Sequence, residues 1–136
     1  MGTPAITPTI TSMFFFINCT PGGPKPDPIW GTFHVEYDNT LGTASGSAKV
    51  VSSELEIANF NEPTDVWDFS VDPAKSGNVP AGASLDVLHS MVHQSGSGVP
   101  NPCSRCDDHW TLKLQWDIEG QIVDKATKSD DVSCEF

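Results

Sequence analysis

Apolar and polar side chains alternate one by one through most of this chain. Trp110 to Trp116 is the plainest case. Trp110, Leu112, Leu114 and Trp116 fall on one face, with Thr111, Lys113 and Gln115 on the other. A period of two belongs to a strand with one buried face and one wet face. The same rhythm over Trp30 to Tyr37 sets Phe33, Val35 and Tyr37 against Thr32, His34 and Glu36. Over Asp65 to Val71 it turns Trp67, Phe69 and Val71 inward, and over Leu85 to His93 it aligns Leu85, Val87, His89, Met91 and His93. Ala48 to Ile57 reads as a strand with Val51, Leu55 and Ile57 inside and Ser52, Glu54 and Glu56 outside. Its β-branched content favours strand over a short helix.

Ile10 to Ile17 breaks the pattern, because Met13 and Phe15 on one side and Phe14 and Phe16 on the other are all apolar. Such a segment is expected to be covered on both faces, or to pair with a partner chain. Glu119-Gly120 predicts a hairpin turn feeding Gln121 to Asp124, and Val132 to Phe136 predicts one more short strand.

Turn chemistry separates these runs. Pro21, Pro24, Pro26 and Pro28 with two glycines rule out helix or central strand before Trp30. Asp38 to Ser47, Asn59 to Thr64, Asp72 to Gly82 and Ser95 to His109 are loops of the same kind. About seven or eight strands, turn signals roughly every ten residues and no helical stripe predict an all-β fold. The expected architecture is a single antiparallel β-sandwich, immunoglobulin-like in shape, over residues 9–136 behind a flexible lead-in of residues 1–8. A chain of 136 residues suits one domain with a real core.

Charge narrows the partners. Eighteen acidic against seven basic side chains give a net charge of −11. Such a surface repels phosphate backbones and anionic lipid, so neither nucleic acid nor a membrane surface is an expected partner. Phe14-Phe15-Phe16-Ile17 is far too short to span a bilayer. Met1 to Thr11 has no basic start and no long apolar segment, so no signal peptide is read there.

Candidate chemistry concentrates in Ser95 to His109, which holds Cys103, Cys106, Asp107, Asp108 and His109. Two thiolates three residues apart suit a zinc knuckle, with His109 and then Cys134, His93 or His89 completing a tetrahedron. A second paired motif would make that signal strong, and there is none. Disulfides are the plainer reading of four cysteines, one option being Cys103 with Cys106 and Cys19 with Cys134. The second of these bonds would close a loop worth about 4–5 kcal/mol of chain entropy before strain. A thioredoxin-like role needs a helix after the first thiol, and a strand follows instead. Calcium would need oxygens gathered from turns such as Asp107-Asp108, Asp130-Asp131 and Asp38-Asn39, yet no spaced calcium loop occurs.

His89 and His93 share a strand face about 13 Å apart, too far to chelate one ion without a bend. His34 reads as a surface residue. Asn18-Cys19-Thr20 fits the glycosylation acceptor pattern. No nucleophile elbow, zinc-protease helix or phosphate-cradling loop occurs, so no enzyme and no cofactor is expected. Trp67, Trp110 and Trp116 are core by position, whereas Trp30 could stack on a sugar or anchor a partner. The chain therefore reads as a non-enzymatic extracellular or cell-surface module that recognises carbohydrate or protein through its loops, with Trp30 and His34 as ligand-binding residues. Two alternatives stand beside it: a zinc- or calcium-binding protein using residues 103–109, and a homo-oligomeric filament or shell subunit that pairs through its N-terminal strand.

Overall fold

The computed structural model describes residues 2–19, 29–58, 65–97, 109–129 and 133–135. It contains eight strands and, among the described residues, no helix: β1 (Thr7–Asn18), β2 (Ile29–Asp38), β3 (Ala48–Ala58), β4 (Asp65–Asp72), β5 (Ser84–Ser97), β6 (His109–Ile118), β7 (Gln121–Ser129) and β8 (Ser133–Glu135). They form one sheet in the order β7-β6-β3-β4-β5-β2-β1-β8. Every neighbouring pair is antiparallel except β1 with β8, which is parallel.

This order forces the sheet to curl. A flat sheet of eight strands would hold its edges about 34 Å apart, at ~4.8 Å per strand. The edge strands β7 and β8 are consecutive in the chain, and Ser129 to Ser133 can span at most about 14 Å. The edges must therefore approach each other. Ring contacts show the result: Phe15 of β1 meets Trp110 of β6 edge-on at 5.6 Å, and Tyr37 of β2 meets Trp116 of β6 at 6.3 Å. Neither pair consists of neighbours in the sheet. The architecture is thus a curled half-barrel.

The inward set follows the alternation. Phe33, Val35 and Tyr37 are fully buried, as are Leu112 and Trp116, with Trp67, Phe69 and Val71 nearly so. Three expectations are corrected. First, β3 carries a bulge between Val50 and Ser52, which shifts the inward phase. Val50 is buried and Val51 exposed, the reverse of the simple pattern, while beyond the bulge Ser53 is buried in phase with Leu55 and Ile57. The Ser53 hydroxyl donates to the Phe69 carbonyl, so the inward serine is satisfied. Second, β1 is not covered on both faces: Phe15 and Ile17 are buried, while Phe14 is 60% exposed. Its partner is β2 of the same chain, with β8 alongside Phe16 to Asn18. Third, the start of the chain is tied down ahead of β1. The Thr3 amide donates to Thr43 Oγ1 and the Ala5 amide to Asn39 Oδ1, Ile6 is buried, and Pro8 already lies within β1.

Two glycines are dictated by geometry. Gly31 faces Phe15 across β1 and β2, and a Cβ there would enter the Phe15 ring. Gly120 closes the β6–β7 hairpin at φ 83° beside Glu119 at φ 50°, the left-handed pair that a two-residue hairpin requires.

Candidate functional site

The outer face of β1, β2 and β5 carries the sequence-predicted ligand residues. Side chains two apart on β2 point the same way, so Trp30, Thr32 and His34 share this face. Trp30 is 53% exposed. Register adds the neighbours: Phe16 lies opposite Trp30, Phe14 opposite Thr32, Ser90 on the other side of Thr32, and Leu88 beside His34. The Phe14 and Phe16 rings are 5.8 Å apart and tilted by 50°. Leu88 and Val92 on β5 are also exposed. The face is therefore graded. Aromatic rings occupy the end near Asn18, small hydroxyls follow, and charge occupies the far end, where Glu36 pairs with Asp86 in register. There His34 Nδ1 lies 3.3 Å from Asp86 Oδ1. Trp30 and His34 thus sit on a strand surface and not on loops.

Of the residues of the 103–109 loop sought for metal, only His109 falls among the described ones. Cys103, Cys106, Asp107 and Asp108 lie outside the described residues, as do Asp130-Asp131. His109 opens β6 at an exposed position. Among the described residues no group of three or more histidine, cysteine or acidic side chains could hold an ion. Asp38 accepts from the Thr40 amide and hydroxyl at 2.8 and 2.6 Å, which lowers its carboxyl below the usual range. Cys19 and Cys134 pack against the core, and neither is a free thiol.

One constellation was hidden by the sequence. His89, Tyr37 and Trp116 are fully buried and hydrogen-bonded in series. His89 Nδ1 is 2.6 Å from the Pro73 carbonyl, which can only accept, so Nδ1 carries the proton. The Tyr37 hydroxyl then donates to His89 Nε2 at 2.7 Å and accepts from Trp116 Nε1 at 3.0 Å. Every polar atom is used and the imidazole is neutral. Burial pushes the His89 pKa down, against the opposing Pro73 bond. Burial also pushes Tyr37 up to about 12, against the Trp116 bond. The only sequence signal was the inward phase of His89 on β5. All three side chains are fully buried in the core.

A shallow depression of about 440 Å³ crosses the outer face of β3, β6 and β7, lined in part by Glu54, Lys113, Gln115 and Asp124. Three of its polar side chains, Lys113, Gln115 and Asp124, are engaged in bonds. Lys113 donates to Glu56 at 2.7 Å, which raises its pKa, and Gln115 donates to Asp124 at 2.9 Å. No family model, curated protein or solved structure matches the chain.

Proposed function

We propose that this chain is a non-enzymatic binding module that engages carbohydrate across the outer face of β1, β2 and β5. One observation carries the reading: exposed Phe14 and Trp30, with half-buried Phe16 between them, form an aromatic surface that runs into Thr32, Ser90 and the His34–Asp86 pair. Sugars present an apolar ring face and a hydroxyl rim. Flat aromatic groups match the first and short polar side chains match the second. The deepest polar constellation, around His89, is sealed and fully bonded, which favours binding over catalysis.

The strand order supports an immunoglobulin-like reading at a finer level. Read from β1, the order β1-β2-β5-β4 followed by β3-β6-β7 is that of the two sheets of a constant-type immunoglobulin domain. The β3–β4 pairing, four residue pairs among the described residues, joins the two halves at one end. An extracellular or cell-surface location accords with this reading and with oxidised cysteines.

Glycan-array screening followed by titration calorimetry tests the proposal. Trp30→Ala should weaken binding to the array hits roughly 30-fold or more, the range of a central aromatic anchor. Ile122→Ala, on β7, should leave it unchanged. An array with no hits, or an unaltered affinity for Trp30→Ala, contradicts the proposal.

A further inference from the structure

We infer that the saccharide held on the outer face of β1, β2 and β5 is an oligosaccharide that carries free amino groups. The inference rests on the carbohydrate reading and adds the ligand's charge to it. Charge divides unevenly between the two halves of the sheet. Strands β1, β2, β4 and β5 contain Glu36, Asp38, Asp65, Asp68, Asp72 and Asp86, and neither lysine nor arginine. Strands β3, β6 and β7 set Lys49, Lys113, Lys125 and Lys128 against Glu54, Glu56, Asp117 and Asp124. The half with the exposed aromatic rings is therefore the half without a fixed positive charge on its strands.

Three of its acids border those rings. Glu36 and Asp86 are exposed and lie directly opposite each other on β2 and β5. Asp72 on β4 is exposed and lies opposite Ser90, which in turn lies opposite Thr32. Phe14, Thr32, Ser90 and Asp72 thus form one row across four strands. Like charges opposite each other on a sheet face repel. His34 is set against Asp86 at 3.3 Å, and no lysine or arginine of these strands can offset Glu36. A ligand that brings ammonium groups relieves the repulsion, whereas an acidic sugar adds to it. The same repulsion opposes stacking this face on that of a second copy. Lysine side chains of a peptide would satisfy the carboxylates but bring no ring face to Phe14 and Trp30. Trp30 and Glu36 are six residues apart on β2, about 20 Å along the strand, so one molecule reaches both only as an oligosaccharide.

Calorimetric titration in one mildly acidic, low-salt buffer compares three probes. They are a β-linked glucosamine hexamer, its fully N-acetylated form with the same rings and no charge, and hexalysine with charge and no rings. The glucosamine hexamer should bind roughly five- to tenfold tighter than the acetylated form, the order expected of two or three exposed charge pairs. Added salt should erase the difference. Glu36→Gln combined with Asp86→Asn should abolish the preference. Glu54→Gln combined with Asp124→Asn removes the same charge from the other half of the sheet and should keep it. The inference is overturned if the acetylated hexamer binds as tightly as the glucosamine hexamer, if hexalysine does, if the preference survives in Glu36→Gln/Asp86→Asn, or if neither hexamer binds. The glycan array decides the carbohydrate reading separately, since hits confined to neutral or acidic sugars would leave that reading standing without this one.

Discussion

At the scale of single residues, His89 shows how a titratable group becomes part of the framework. Its Nδ1 proton goes to Pro73 and its Nε2 lone pair receives the Tyr37 hydroxyl, so a second ring proton has no acceptor. Protonation would set Nε2–H against the tyrosine hydroxyl, which already accepts from Trp116. The native imidazole therefore resists charging, and the unfolded one accepts a proton near pH 6.5. The unfolded state binds the extra proton, so the His89 contribution is whole above about pH 6.5 and declines as the pH falls below it. The slope approaches ~1.4 kcal/mol per pH unit until the depressed native pKa is reached. Urea unfolding at stepped pH should show this acid decline. His89→Phe should unfold about 1–3 kcal/mol more easily at pH 7, because the Tyr37 hydroxyl loses its acceptor and the Pro73 carbonyl loses its donor. It should also lose this part of the acid slope. An unchanged slope in His89→Phe would show that His89 is not the group responsible.

At the scale of elements, alternation was readable wherever a strand stayed in phase. Residues 110–116 and 33–37 needed nothing more than a period of two. It misled at Val51, because a bulge inserts one residue and inverts the faces before it, and no local composition marks the insertion. It was incomplete at Phe14, where an apolar side chain faces outward and tertiary burial was the natural inference. Asn39 was missed for another reason: its role lies in distant partners. Oδ1 accepts from Ala5, and Nδ2 donates to the carbonyls of Ala44, Val79 and Pro80 at 3.0 to 3.2 Å. One side chain thus joins the start of the chain to the loops after β2 and before β5. Read as sequence, the same residue was one more turn oxygen. Asn39→Asp turns the donor into an acceptor facing carbonyls and buries a charge with no cation beside it. It should cost about 3–5 kcal/mol in neutral-pH denaturant unfolding. Wild-type stability in that variant would refute the tying role. Residues around Cys103 and Asp108, where the sequence concentrated its candidate chemistry, lie outside the described structure, so the metal reading gains nothing from the fold.

At the scale of the whole molecule, the strand order divides inside from outside. Consecutive edge strands pull the sheet into a half-barrel, whose interior is filled by rings from both halves and by the bonded His89 series. What is left for recognition is the outer surface, and Trp30 is its largest exposed side chain. The four tryptophans then separate cleanly: Trp67, Trp110 and Trp116 are buried and Trp30 is not. Their indole N–H signals in a nitrogen–proton correlation spectrum report both sides of the sheet at once. Titration with an oligosaccharide selected on the array should shift the Trp30 indole signal progressively. It should leave the Trp116 signal, held by Tyr37, in place. Movement of Trp116 with Trp30 unperturbed would place the ligand inside the barrel and contradict the account.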